Sequence, residues 1–368
     1  MRDMRQRLRI ASLTIIASLA VCSKTPAQVP SPEGPQQFAE FGDFRLHDGG
    51  VLHEFHLGYR TLGKLNEDKS NAVLWPTWIG GKSADLLPFI GPGNVVDTNK
   101  YFVVLVDAIG NGISTSPSNS KTQPLMQFPK FTIRDMVQSE HRLCKEVLHL
   151  NHLHAVIGIS MGGMQTFEWI AAYPDFMDLG IPMAGTPQTT SYDKLFWTTQ
   201  VDAIELDPAW NNGNPKGQIH GGAALSEEIN SMNLTSPSYR VAHTNPKDFD
   251  TFLAELRKNA TIDGGTASDQ IRQREAIISF DMPSEFGSTI EQAAERVHAK
   301  LLIVVPLEDH VVNPQPALEF ADAIGATVVR INSSCGHQSF ACVSVGPTIA
   351  KFLTDPTSVH GEMLQEKR

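Results

Sequence analysis

The chain has 368 residues, of which 41% are hydrophobic and 19% are charged, and its formal net charge is −10. This is the composition of a globular protein that is long enough for a large buried core. The acidic balance argues against nucleic acid or an anionic membrane surface as the main partner.

The first 27 residues have the organisation of a signal peptide. Four arginines, from Arg2 to Arg9, precede an apolar run at residues 10–21 that is too short to span a bilayer comfortably. Small residues up to Ala27 provide a cleavage site. We therefore expect a secreted or periplasmic protein with no integral membrane span once the signal is removed.

Two further predictions concern the same end of the chain. Residues 19–22 resemble a lipoprotein box that ends at Cys22, but Val21 stands where a small residue is preferred, so we favour cleavage over lipid anchoring. Residues 28–40 contain several prolines and predict a linker.

From there on, predicted strands alternate with predicted helices. Residues 41–47 and 51–59 predict a hairpin, and the later elements follow in chain order. Strands are expected at 71–75, 101–107, 155–158, 179–184, 301–306 and 327–331, and helices at 132–148, after residue 160, at 314–324 and at 339–353. The alternation indicates an α/β fold with a mostly parallel sheet and helices on both faces.

One segment interrupts this alternation of strands and helices. Residues 191–287 lack clear buried strands and predict an inserted, mainly helical cap, so the core comprises residues 41–190 and 288–355. The polar residues 356–368 predict a flexible tail.

The strongest candidate for chemistry is a G-x-S-x-G turn formed by Gly158, Ser160 and Gly162. The pattern alone is weak, because glycine and serine are common in loops. An apolar strand precedes it and a helical pattern follows, which is the context of a nucleophile elbow. Ser160 is therefore the predicted nucleophile.

A serine hydroxyl needs a base, and the base needs an orienting acid. With this elbow the chain order is serine, acid, histidine, each after a strand. His337 follows the last predicted strand, whereas His360 lies in the tail and His310 lies beside the acid on the wrong loop. Asp309 is the favoured acid, and its neighbour Glu308 is the alternative because one residue of register decides between them.

An oxyanion hole requires two backbone donors. The N–H of Met161, directly after the nucleophile, is the first candidate. The second is the N–H of Trp78, in the loop after the strand at 71–75. Trp78 is also interpretable as a hydrophobic anchor beneath the cap.

Cysteine and histidine usage gives little sign of a metal. Cys335 and Cys342 can pair and leave Cys144 as a buried thiol, although three unpaired thiols fit the sequence equally well. The histidines are scattered, and the sequence holds no H-E-x-x-H or paired-cysteine pattern. We predict no metal and no cofactor.

Several stretches resemble the homoserine O-acetyltransferase branch of the α/β-hydrolase superfamily. They include T-I-R-D-M-V at 132–137, G-I-S-M-G-G-M-Q at 158–165 and the pair Gly336-His337. The resemblance implies a mostly parallel eight-stranded sheet, the triad of Ser160, Asp309 and His337, and a homodimer formed through the cap.

The chain also departs from that branch. It has W-P-T-W-I-G at 75–80 where the branch has C-H-A-L-T-G. The sequence most similar to the branch's cap motif is residues 267–280, which include Arg272 and Arg274. Acyl-CoA donors are cytosolic, so export favours hydrolysis of a small-molecule carboxylic ester. An O-acyltransferase that uses an acyl-CoA donor is the alternative, and a non-catalytic binding homologue is a third reading. The substrate-binding residues are not identifiable from the sequence.

Overall fold

A computed structural model describes residues 34–366. The predicted signal peptide, residues 1–27, and the first part of the predicted linker lie outside the described residues. The strands are β1 Gln37–Arg45, β2 Val51–Leu62, β3 Ala72–Pro76, β4 Phe102–Val106, β5 Leu153–Ile159, β6 Met177–Met183, β7 Gln218–Ile219, β8 Ile262–Asp263, β9 Lys300–Pro306, β10 Thr327–Asn332 and β11 Glu362–Gln365.

Helices cover the sheet and fill the insertion. None of the helices between Gly34 and Glu366 is both long and apolar enough to cross a membrane. The α-helices are α1 Ile133–Arg142, α2 Met161–Ala172, α3 Ser191–Glu205, α4 Gly221–Leu234, α5 Pro237–His243, α6 Phe249–Lys258, α7 Gly264–Ile278, α8 Met282–Phe286, α9 Ile290–Ala294, α10 Gln315–Ile324, α11 Ser339–Cys342 and α12 Gly346–Thr354.

The main sheet has the order β1-β2-β4-β3-β5-β6-β9-β10-β11. The β1–β2 and β2–β4 pairs are antiparallel, and every other pair is parallel. The central strands β3, β4 and β5 are apolar along most of their length because helices cover both faces. The carboxyl ends of β3, β5, β9 and β10 therefore lie along one edge of the sheet, where their loops can meet.

The sheet has nine strands in the described chain, one more than predicted. The extra strand, β11, lies in the segment 356–368 that was expected to be a flexible tail, and it pairs with β10 from Val329↔Glu362 to Asn332↔Gln365. Only Met363 and Leu364 are apolar in β11, so the sequence signal is weak, but pairing covers the otherwise open edge of β10.

Two other boundaries differ from prediction. β1 begins at Gln37, inside the segment that was assigned to a linker at 28–40, because Gln37 pairs with Tyr59 of β2. The single helix expected at 339–353 is two helices, α11 and α12, because Gly346-Pro347 starts a new helix at a position where proline is tolerated.

The insertion between β6 and β9 contains helices α3 to α8, within residues 191–287, and the short β7–β8 pair. Helices α4 and α7 both pack on α3, and Ile204, Trp210 and Ile271 belong to a small apolar cluster of their own. The insertion is mainly helical, and α7 faces the loops at the carboxyl edge of the sheet.

A buried carboxyl group lies between α1 and α2. Glu140 Oε2 accepts a hydrogen bond from Trp169 Nε1 at 2.6 Å, and Oε1 has no hydrogen-bond partner among the described residues. Burial raises the pKa of Glu140 to about 8, because a low-dielectric interior disfavours the charged form. The folded state therefore holds Glu140 protonated at neutral pH.

We expect Glu140→Gln to flatten the pH dependence of stability. The folded protein keeps a proton that the unfolded chain releases above its pKa of 4.5, so the free energy of unfolding falls as the pH rises from there towards about 8. Each unit of difference in pKa is worth about 1.4 kcal/mol. Urea unfolding of wild type and variant across this range measures the two slopes.

The exposed Glu67→Gln is the matched control, and its slope should equal that of the wild type. Parallel curves for wild type and Glu140→Gln would show that Glu140 is already ionised in the folded protein.

Candidate active site

Ser160 occupies a strained turn between β5 and α2. Its φ is 58° and its ψ is −122°, a conformation that residues with a side chain rarely adopt. The N–H of Ser160 donates to the carbonyl of Met183 on β6 at 2.9 Å, which fastens the turn to the neighbouring strand. The hydroxyl is therefore carried at the carboxyl end of β5, beside the first turn of α2.

The glycines around Ser160 are required by close backbone approach. A Cβ at Gly158 would lie 1.9 Å from the carbonyl oxygen of Gly162, and a Cβ at Gly162 would lie 2.7 Å from the carbonyl oxygen of Pro76. A Cβ at Gly163 would lie 2.7 Å from the carbonyl oxygen of Met183. Any side chain at these positions would push α2 away from the strands and release the turn.

Ser160, His337 and Asp309 form one chain of hydrogen bonds. Ser160 Oγ lies 2.9 Å from His337 Nε2, and His337 Nδ1 lies 2.7 Å from Asp309 Oδ2. A carboxylate can only accept, so Nδ1 carries the proton and Nε2 is left to receive the serine proton. The arrangement is the one that activates a serine nucleophile.

Asp309 is held in place by its other oxygen. Oδ1 accepts the N–H of Val311 at 2.8 Å and the N–H of Val312 at 2.9 Å. The Asp309 side chain is 1% exposed and that of His337 is 12% exposed. These bonds satisfy a carboxylate that is otherwise costly to bury, and they leave Oδ2 for the imidazole.

The structure also separates the alternatives considered for the acid and the base. Glu308 is exposed, so Asp309 is the carboxylate that reaches His337. His360 is exposed in the C-terminal segment. His310 Nε2 is buried with no hydrogen-bond partner in the described chain, and Ser160 bonds to His337 instead.

A disulfide encloses the loop that carries His337. Cys335 is bonded to Cys342, and Cys144 is a buried free thiol. The pairing considered from the sequence is therefore the one that the structure contains. The two sulfurs lie near the carboxylate of Glu366, but their bond to each other removes them as metal ligands.

The two backbone groups predicted for an oxyanion hole follow closely after Ser160 and β3. Met161 is the first residue of α2, where an N–H has no partner within the helix. Trp78 follows β3 and is buried, and Gly81 donates to its carbonyl at 3.0 Å in a turn that places Gly80 at φ +67°. This loop is short and closed, as a preorganised donor requires.

Two buried glutamines contact this loop, and neither was predicted as a site residue. Gln165 Nε2 donates to the carbonyl of Thr77 at 3.0 Å, and Gln273 Oε1 accepts the N–H of Gly80 at 2.8 Å. The available signal was a glutamine on a helix whose other residues are nearly all apolar, one turn after Met161.

A groove of about 520 Å³ lies elsewhere on the molecule. His154, Asp178 and Lys300 line it, and these residues lie at the amino ends of β5, β6 and β9. Ser160 lies at the carboxyl end of β5. The groove therefore belongs to the opposite edge of the sheet and not to the site around Ser160.

Comparison with known families accounts for this geometry. The family model of the alpha/beta hydrolase fold matches residues 78–340. The chain belongs to the α/β-hydrolase family. It lies in the homoserine O-acetyltransferase-like branch, being 31% identical over 347 residues to the homoserine O-acetyltransferase of Pelobacter propionicus, with 84% of this chain and 93% of that protein covered.

Esterases also resemble the chain. It is 40% identical over 184 residues to a probable esterase of Corynebacterium glutamicum and 39% identical over 184 residues to the ethyl acetate hydrolase of Pseudomonas veronii. These two matches span 49% of this chain and about half of each relative, 53% and 52%. The crystal structure of an acetylester hydrolase from Corynebacterium glutamicum superposes with a TM-score of 0.78 and 28% identity, covering 88% of this chain and 96% of that one.

We expect Gly158→Ala to abolish the reactivity of Ser160. The new Cβ would meet the Gly162 carbonyl oxygen at 1.9 Å, so the backbone of the turn must move. Labelling of Ser160 by a fluorophosphonate, read by mass spectrometry, measures the loss.

Gly221→Ala is the matched control, because its nearest neighbour lies at an ordinary 3.7 Å. It should label like the wild type. Normal labelling of Gly158→Ala would mean that the turn tolerates a Cβ and that the close approach is not essential.

Proposed function

We propose that this chain is an exported serine esterase that hydrolyses small carboxylic esters through an acyl-serine intermediate. The observation that carries the proposal is the hydrogen-bonded series Ser160–His337–Asp309, at 2.9 and 2.7 Å, on a strained turn. The named esterases and acetyltransferases that resemble the chain support an acetyl or other short acyl group as the one transferred.

The proposed reaction has two halves. Ser160 Oγ attacks the ester carbonyl while its proton passes to His337 Nε2, and Asp309 stabilises the imidazolium. The N–H groups of Met161 and Trp78 donate hydrogen bonds to the developing oxyanion. The tetrahedral intermediate collapses, and the alcohol leaves with the proton from His337. Water then attacks the acyl-serine by the same route and restores the free hydroxyl.

Arginine contacts in the insertion favour water over an amino-acid acceptor. Arg272 is occupied by the carbonyls of Phe128 and Met126 and by Glu275. Arg274 is buried against Gln200 and Gln270. The guanidinium of Arg272 is thus engaged within the protein, and that of Arg274 is bonded internally through both terminal nitrogens, with its buried Nε left without a partner in the described chain.

Acyl transfer is the second candidate function. Its support is the sequence match to homoserine O-acetyltransferase, which covers 84% of this chain, against 49% for the esterase sequence matches. The first half-reaction is the same for both functions. They differ only in whether an alcohol or water accepts the acyl group.

The disulfide supports export. Such bonds persist in oxidising compartments and are rare in the cytosol. The Cys335–Cys342 bond therefore agrees with the signal peptide proposed for residues 1–27.

The central test compares four forms of the mature protein. We expect wild type to hydrolyse p-nitrophenyl acetate, Ser160→Ala to be inactive, and Asp309→Asn to lose roughly 10³-fold or more in kcat, because an asparagine stabilises the wrong tautomer of His337. Glu308→Gln should retain wild-type kcat because Glu308 is exposed.

The same proteins are given acetyl-CoA and L-homoserine, with free CoA and O-acetylhomoserine both measured. Ser160-dependent formation of O-acetylhomoserine would replace the esterase proposal with acyl transfer. Full activity of Ser160→Ala in either assay would reject the proposed nucleophile.

Export has its own test. We expect the full-length chain, expressed in a Gram-negative host, to appear in the periplasm beginning near residue 28, with the Cys335–Cys342 pair resistant to alkylation until it is reduced. Recovery of an uncleaved chain with free thiols from the cytosol would contradict export.

A further inference from the structure

The side-chain amide of Gln165 bonds to the peptide unit between Thr77 and Trp78. Gln165 Nε2 donates to the Thr77 carbonyl at 3.0 Å and to the Met161 carbonyl at 3.2 Å. A peptide unit is planar and trans, so its C=O and the following N–H point in opposite directions. Fixing the direction of the Thr77 carbonyl therefore fixes the direction of the Trp78 N–H.

The other end of the loop is held from the insertion. Gln273 of α7 accepts the Gly80 N–H at 2.8 Å through Oε1 and donates to the Ile109 carbonyl at 3.0 Å through Nε2. Gln273 is 1% exposed. Its amide thus joins the loop after β3 to the loop after β4, and it couples the position of α7 to both.

The hydrogen bonds of Gln165 also indicate a role other than stability. Its side chain is fully buried, and Oε1 has no hydrogen-bond partner among the described residues. A buried, unpaired oxygen is unfavourable, and an apolar side chain of the same length would remove it, but that side chain would also leave the buried Thr77 carbonyl without its donor. The glutamine supplies something that the apolar side chain would lack, namely a donor to Thr77.

We propose that Gln165 and Gln273 are positioning residues that orient the backbone N–H of Trp78 towards the oxyanion. Gln165 acts from α2, the helix that follows Ser160, and Gln273 acts from α7 of the insertion. The inference rests on the proposed esterase function of Ser160. Neither glutamine touches the reacting atoms. Their effect is exerted through the orientation of the peptide between Thr77 and Trp78 and through the closure of the turn at Gly80.

The experiment measures ester hydrolysis and phosphonate labelling in matched variants. Gln165→Met removes the donor at nearly constant volume. Gln273→Met removes both hydrogen bonds, whereas Gln273→Glu keeps the acceptor for Gly80. Gln270→Met is the control, because Gln270 lies on the same helix and its side chain bonds to Arg274.

We expect Gln165→Met and Gln273→Met to lower kcat by roughly tenfold, a part of the loss that follows removal of a whole oxyanion donor. KM and the pH midpoint of kcat/KM should not change, because the substitutions alter the orientation of the Trp78 peptide and leave His337 in place. Gln273→Glu should recover most of the activity. Gln165→Met should lower the thermal midpoint only slightly, because removal of the unpaired Oε1 offsets part of the cost of the lost donor.

Wild-type kcat in Gln165→Met would overturn the proposal, as would a raised KM at constant kcat or a shifted pH midpoint. A Gln273→Glu variant as slow as Gln273→Met would also overturn it. If wild type hydrolyses no ester, the proposed function fails. The rate of Ser160 phosphonylation, which places an oxygen in the same hole, then still decides whether the two glutamines position it.

Discussion

The site depends on the backbone contact between the end of β5 and the start of α2. The carbonyl oxygen of Gly162 lies so close to Gly158 that a Cβ on residue 158 would clash with it. This close backbone approach allows the chain to reverse at the single residue Ser160. The positive φ of Ser160 is unfavourable in isolation. It persists because β3, β6 and α2 all pack against the turn, so relaxing Ser160 would require separating three buried elements.

Asp309 is buried in the loop after β9, at the same edge of the sheet as Ser160. A carboxylate that is 1% exposed must find partners, and Asp309 finds them in the two amides that follow it and in His337. This arrangement makes the orientation of the imidazole a consequence of loop geometry after β9. The loop after β10 is tightened in turn by the Cys335–Cys342 bond and by a glycine at position 336 with φ +57°.

Features with a local sequence signal could be predicted. Glycine spacing and the flanking apolar strand located Ser160, and the last strand of the core located His337. Asp309 was favoured over Glu308 from the sequence, and its bond to His337 in the structure shows which side chain points inward after β9. The strand β11 escaped prediction because it is a mostly exposed edge strand whose partner lies more than thirty residues earlier, as in Asn332↔Gln365.

The contacts of Gln165 and Gln273 show a different limit. Gln165 contacts Thr77, which is 88 residues earlier, and Gln273 contacts Gly80, which is 193 residues earlier. Contacts between residues so far apart leave no local sequence pattern. The second of these contacts comes from the insertion, the part of the chain where it departs most from the homoserine O-acetyltransferase pattern. Since esterase and acyltransferase share the acyl-serine half-reaction, they must diverge in the groups around the acceptor. Under the proposed esterase function, the internal contacts of Arg272 and the bond from Gln273 to Gly80 are consistent with water, which needs no binding group, as the acceptor.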